Sequence, residues 1–155
     1  MARWGNADYS QFAAFANSMK KLSESEIDRL CISCSKALAG RLLDLVIPKT
    51  PVGKYPKGSG KKGGTLRRGW GAKNGSAAAQ YASSLNVQKV GNNYIVEIVN
   101  PIEYASYVEF GHKTPNGGWV EGQYMLTVSE EKLKSIAPSV LEKMVMQKLK
   151  EVCDG

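Results

Sequence analysis

Residues Tyr94 to Trp119 constrain the fold most, because several structural signals follow one another there without a gap. Tyr94 to Val99 is a β-branched and aromatic run set between Gly91-Asn92-Asn93 and Asn100-Pro101, which predicts a buried strand. A helix start follows at once. Asn100 is placed to cap it, Pro101 suits its first position because a missing N–H costs nothing there, and Glu103 stands three residues after the cap. Tyr104, Tyr107 and Val108 share one face of this short helix. Gly111 ends it, since glycine enters the left-handed region without a Cβ penalty, so Gly111→Val is expected to cost on the order of 1 kcal/mol or more. His112 to Thr114 resumes an extended path as an edge strand, and Pro115-Asn116-Gly117-Gly118 turns the chain sharply before Trp119.

Upstream, Ser23 with Glu26 forms a capping box. Ile27, Leu30, Cys31, Cys34, Leu38, Leu42 and Leu45 then recur at helical spacing, so a long helix is expected to run to about Ile47, where Pro48 and Thr50-Pro51 oppose continuation. Before it, residues 1–22 read as a helical arm capped by Asp8, whose Tyr9, Phe12 and Phe15 need cover from the chain's own core or from a neighbouring subunit. Residues 51–64, rich in Gly and Lys, cannot offset their conformational entropy by burial and read as a mobile basic loop. Leu66 to Ala72 reads as a first strand, Asn74 to Ala79 as a connection, and Leu85 to Val90 with Tyr94 to Val99 as an antiparallel hairpin around Gly91-Asn92-Asn93. From about Gly122 the pattern is helical, with Pro138 kinking or restarting it. The expected fold is α+β: one domain over residues 1–155, with a small, mainly antiparallel sheet packed against a long helix in the N-terminal half and a kinked C-terminal helix.

The order and spacing of several segments resemble a family of tailed-bacteriophage tail components, the head-tail joining, neck or tail-completion proteins. The segments are Thr50-Pro51-Val52, Gly64 to Trp70, Tyr104 to His112 and Gly118 to Leu126, which together cover most of the chain from residue 24 onward. One departure is visible. About ten extra residues, rich in Lys and Gly, stand between the Thr-Pro-Val and Gly-Thr-Leu-Arg segments that such proteins often join almost directly. The resemblance implies a structural virion protein, a homo-oligomeric ring of about six subunits around the DNA channel that meets head-closure and tail proteins. A tail terminator capping the tail tube uses a similar small α+β subunit.

The net charge of +7 is unevenly spread. Between Leu45 and Val96 the chain has no acid but nine bases: Lys49, Lys54, Lys57, Lys61, Lys62, Arg67, Arg68, Lys73 and Lys89. The rest is close to neutral. Such a local field suits phosphate or an acidic partner and should weaken with salt. Lys54, Tyr55, Lys57, Lys61, Lys62, Arg67 and Arg68 are therefore the expected contacts to DNA or to a protein partner. Gly53 and Gly58 imitate a nucleotide-binding loop, but Ser59 stands where its lysine belongs, so no nucleotide is implied.

Catalysis is not expected. The single histidine, His112, is explained by the negative end of the preceding helix or by packing on Trp119. Glu103 reads as a capping residue, and Glu109 as the partner of a base on the same or a neighbouring subunit. Glu109, His112 and Trp119 join Tyr9, Phe12 and Phe15 as expected subunit-interface residues. Cys31-x-x-Cys34 lies within a helical pattern, with Cys153 distant, which favours buried thiols over a metal or redox centre; no cofactor is expected. No secretory signal or long apolar run is evident, so a reduced, soluble protein made in the host cytoplasm and not in a membrane is expected. The class that competes with a ring component is a free, non-sequence-specific DNA-binding module. Against it, no helix carries the basic face of a groove reader.

Overall fold

The computed structural model describes residues 16–17, 19–71 and 77–154. Tyr9, Phe12, Phe15 and the Asp8 cap lie outside the described residues, as does Lys73.

Helix α1 spans Glu24–Lys49 and begins as its capping box dictates: the Ser23 hydroxyl accepts from the Glu26 N–H, and the Glu26 carboxylate accepts from the Ser23 N–H at 2.9 Å. Its last turn holds Pro48, and Thr50 leaves it in extended conformation. Four hydrogen bonds close this end. The Thr50 hydroxyl donates to the Val46 carbonyl at 2.8 Å and accepts from the Trp70 indole N–H at 2.8 Å, and the Arg67 guanidinium donates to the carbonyls of Thr50 (2.7 Å) and Pro48 (3.3 Å). A cation thus sits on the negative end of a long helix while meeting its orphan carbonyls.

Arg67 gets there because Thr65–Arg68 is one helical turn, α2, and not the strand expected from Leu66 to Ala72. Leu66 and Trp70 are both buried, and a spacing of four is shared by a helix face and by alternate strand positions. Arg68 decides between them. A strand would put it on the buried side with Leu66 and Trp70, whereas it is exposed.

The expected connection at Asn74 to Ala79 runs into a second unforeseen helix, α3, at Ala78–Ser84. Ala78 and Ala82 are one turn apart and fully buried. A Cβ on Gly40 of α1 would meet Ala79 Cα at 3.4 Å and Ala82 Cβ at 3.5 Å, so small residues on both sides let these helices pack closely.

Strands β1 (Val87–Val90) and β2 (Asn93–Val96) form the expected antiparallel hairpin, with Val87 opposite Val96 and Val90 opposite Asn93, but β2 stops short of Val99 and alternates exposed and half-buried residues where a buried strand was expected. The link is two residues, shorter than expected, with Gly91 at φ 61° as a type II′ turn requires. Asp28 of α1 holds the hairpin: its carboxylate pairs with Lys89 at 2.8 Å and accepts from the Tyr94 hydroxyl. The Lys89 bond, then the Tyr94 bond, keep the Asp28 carboxyl below the ordinary carboxylate range, and Asp28 in turn pushes up the Lys89 ammonium and the Tyr94 phenol. The depressed acid contributes stability above its unfolded value of about 4 that is lost as pH falls through the folded one; the raised groups contribute below about 10 and lose it as pH rises. Asp28→Asn is therefore expected to flatten the alkaline limb of a stability-against-pH curve and shrink the acid limb. Part of the acid limb remains, because the Ser23 backbone bond also lowers Glu26. Unchanged limbs would exclude this tie.

Helix α4 covers only Ala105–Phe110, preceded by a turn. Asn100 is not its cap. The Asn100 side chain accepts from the Ile102 N–H and donates to the Leu66 carbonyl at 2.8 Å, which braces α2 instead. Strands β3 (Gly111–Lys113) and β4 (Trp119–Glu121) form a second hairpin, so the single sheet expected is two separate two-stranded ribbons. Helix α5, Met125–Asp154, continues through Pro138 without the restart that was one of two expectations there. The core comprises Ala39, Leu43, Val46, Ile47, Leu66, Trp70, Ala78, Ala82 and Met125. Cys34 is buried, which with nearby Cys31 pushes its thiol up, and no metal-holding cluster occurs among the described residues.

Candidate assembly surface

The loop after α1 is the first part of the surface. Every residue from Pro51 to Lys62 is exposed, including Lys54, Tyr55, Lys57, Lys61 and Lys62. Its base is closed: a Cβ on Gly63 would fall 2.0 Å from the Gly53 carbonyl oxygen, so the two arms touch through backbone that only glycine permits. At the tip the Ser59 N–H returns to the Pro56 carbonyl, and Gly58 and Gly60 take positive φ. The Lys61 ammonium stands 5.8 Å from the centre of the Tyr55 ring, within reach of a cation–π contact. Arg67 and Arg68, grouped with these lysines from sequence, are used differently. Arg67 is half-buried on the end of α1, and Arg68 donates to the Gly63 carbonyl at the loop base.

The loop borders α4. Val52, Tyr55, Lys62 and Gly63 line a cleft of about 300 Å³ together with Tyr104 and Val108. Tyr104, Tyr107 and Phe110 of this region are 44%, 58% and 60% exposed, so Tyr104 and Tyr107 do not share the face of Val108, which packs against the core. The inward side is held by Ala105, Val108 and, unexpectedly, Glu109, only 5% exposed. The Glu109 carboxylate accepts from the Leu126 N–H (2.9 Å), the Thr127 N–H (2.9 Å) and the Thr127 hydroxyl (2.7 Å). It caps α5 from another helix and pairs with no base among the described residues. The backbone repeats the stitch, since the Gln123 and Tyr124 N–H groups donate to the Val108 and Glu109 carbonyls at 2.7 and 3.0 Å. Tyr124 enters α5 at φ 46°, a conformation uncommon in non-glycine residues, and is 43% exposed.

The second hairpin completes the face. Gly111 ends α4 as expected, but at φ 82°, ψ 172°, an extended mirror-image conformation and not the left-handed helical one. Trp119, 55% exposed, lies over it, with Cζ2 at 2.9 Å from where a Gly111 Cβ would be. His112 sits on Tyr107, ring centres 5.6 Å apart, and not on Trp119; its buried Nδ1 lacks a hydrogen-bond partner among the described residues.

From loop to hairpin the structure thus exposes Tyr55, Tyr104, Tyr107, Phe110, Trp119 and Tyr124, with Tyr55 of the lysine-rich loop and Tyr104 lining one cleft. Tyr104, Tyr107, Phe110 and Tyr124 were not singled out as contacts from sequence. One signal was available: Gly122-Gln123-Tyr124 offers α5 no Ser, Thr, Asp or Asn cap, so a carboxylate had to come from elsewhere, and Glu109 turning inward forces its aromatic neighbours outward.

The described residues thus form a small α+β chain that exposes several large aromatic side chains and a lysine-rich loop. It belongs to the family described as "Bacteriophage HK97-gp10, putative tail-component", which it matches over residues 13–111. The match takes in α1, the basic loop and α4 but stops before β4 and α5, so Gly118 to Leu126 lies beyond it. No curated protein and no solved structure matches the chain. As a phage tail component it is a virion protein that associates with other virion proteins. No helix among the described residues is long and apolar enough to cross a membrane.

Proposed function

We propose that the chain is a structural, non-catalytic subunit of the phage neck or tail-completion region, made in the host cytoplasm. It forms a ring around the DNA channel and joins the head-side connector to the tail. The observation that carries this reading is the run of exposed aromatics on α4 and the β3–β4 hairpin, together with an exposed loop whose lysines meet no acid among the described residues. Exposed aromatics of this kind anchor protein interfaces when neighbouring subunits desolvate them. The loop lysines then face phosphate or an acidic neighbouring ring. Light scattering after gel filtration, at low and high salt and with duplex DNA, tests the class of protein. The expected result is a ring of about six subunits, or a monomer, whose mass duplex DNA leaves unchanged. Salt-reversible loading onto random duplex would make it a free nucleic-acid-binding module.

Two substitutions separate the parts of the surface. Lys57→Glu, Lys61→Glu and Lys62→Glu together touch only exposed side chains and are expected to change folding stability by less than about 0.5 kcal/mol, while the yield of tail-joined particles falls. Tyr107→Ser with Phe110→Ser is expected to leave the fold standing in thermal melts and to abolish incorporation into particles. Normal particle yield from either variant would remove that part from the interface.

A further inference from the structure

We infer that the basic loop of one copy seats in an apolar, acid-rimmed groove on the next copy, so that the ring closes by a head-to-tail contact. This deepens the ring reading above and rests on it. The groove lies between α1, β2 with the chain that follows it, and the start of α5, and encloses about 490 Å³. Leu38 and Leu42 of α1 face Leu126 and Leu133 of α5 across it, and all four remain only half-buried. Glu97 and Glu130 line the same groove, both are exposed, no base lines it, and neither carboxylate is in an ion pair among the described residues.

The occupant is specified by charge and by shape. The loop is the one exposed segment of the acid-free window that carries four lysines around an apolar centre, Tyr55-Pro56, and its lysines also meet no acid among the described residues. A tyrosine ring and lysine stems suit an apolar floor, and ammonium groups suit the two carboxylates at its edge. The loop sits apart from the groove of its own chain. Its closed base and the cleft it shares with Tyr104 and Val108 hold it beside α4, and that cleft has no lining residue in common with the groove. Loop and groove are therefore two different patches. A contact between two different patches on identical subunits is heterologous, and it builds a ring when the rotation closes.

The test is zero-length carboxyl-to-amine cross-linking of the full chain at high concentration, mixing isotopically light and heavy protein so that links between copies are distinguished. The expected links join Lys57, Lys61 or Lys62 of one copy to Glu97 or Glu130 of another. Glu97→Lys with Glu130→Lys should abolish them and weaken self-association at least tenfold. Adding Lys57→Glu, Lys61→Glu and Lys62→Glu to the same chain should restore association. A loop-reversed chain or a groove-reversed chain should fail to associate alone, whereas mixing the two should rebuild an alternating ring, because each loop then meets a groove of opposite charge. A ring whose links map elsewhere, or whose mass survives the groove reversal, overturns the loop–groove contact and leaves the neck reading standing. A chain that never self-associates and yields no such links also overturns it, and loading onto duplex DNA would remove both readings.

Discussion

Glu109→Ala is expected to lower folding stability by about 3 kcal/mol, which for a chain of this size is a fall in melting temperature of roughly 6–12 °C. The physical reason is the direction of its bonds. The carboxylate is buried and takes two backbone N–H groups from the first turn of α5, where the helix dipole also favours negative charge. Alanine leaves both donors and the Thr127 hydroxyl facing a cavity, with no local side chain to replace the cap. Glu109→Gln keeps the shape but offers one acceptor in place of two, so about half the loss is expected. A melt that moves by less than 2 °C in the alanine variant would show that α5 finds its cap elsewhere.

Gly111→Val is the second large effect, about 3 kcal/mol or more. Positive φ with ψ near 180° belongs essentially to glycine, and a β-branched residue suits it least. Crowding adds to the strain, since a Cβ would lie 2.4 Å from the Val120 carbonyl oxygen and 2.9 Å from both the Gly122 nitrogen and Trp119 Cζ2. The neighbour is backbone on two of three sides, so it cannot swing away. Gly111→Ala is expected to cost about 2 kcal/mol, less than valine because it brings only the Cβ. Denaturant unfolding of both variants checks the order, and quenching of Trp119 fluorescence should change in each. Equal stability of wild type and valine variant would exclude the conformation assigned to this glycine.

Much of the scaffold was legible in local chemistry. The Ser23–Glu26 box and the Pro48–Pro51 stop bound α1, Gly91 and Asn92 turn the first hairpin, and Gly111 ends α4, because each signal acts within a few residues of where it is written. What was not legible depends on partners far along the chain. Arg67 counts as one more base in a basic window until α2 turns it back onto Thr50, seventeen residues earlier. Glu109 looks like a surface carboxylate until α5 starts over it. The Leu66 and Trp70 spacing satisfies either period, and Ala78–Ser84 offers mostly small residues, of which Ala79 and Ala82 show their helical value once Gly40 lies against them. Tyr104 and Tyr107 share a spacing with Val108 but not its side, because Ala105, Val108 and Glu109 occupy the inner side of α4 and leave Tyr107 and Phe110 outside. The part of the surface that sequence reading placed well is the lysine loop, since charge and glycine content report exposure directly.

The central claim is that this tail component sits in a ring at the head–tail junction and uses the α4 and β3–β4 face with the basic loop to hold its place there. Electron cryo-microscopy of intact particles carrying a gold-binding tag on the C-terminus tests it most directly. The account predicts label confined to one closed ring between the head portal and the tail tube, and tailless DNA-filled heads when Tyr107 and Phe110 are both replaced by Ser. Label distributed along the tube, at the distal tip or absent from the particle would contradict it.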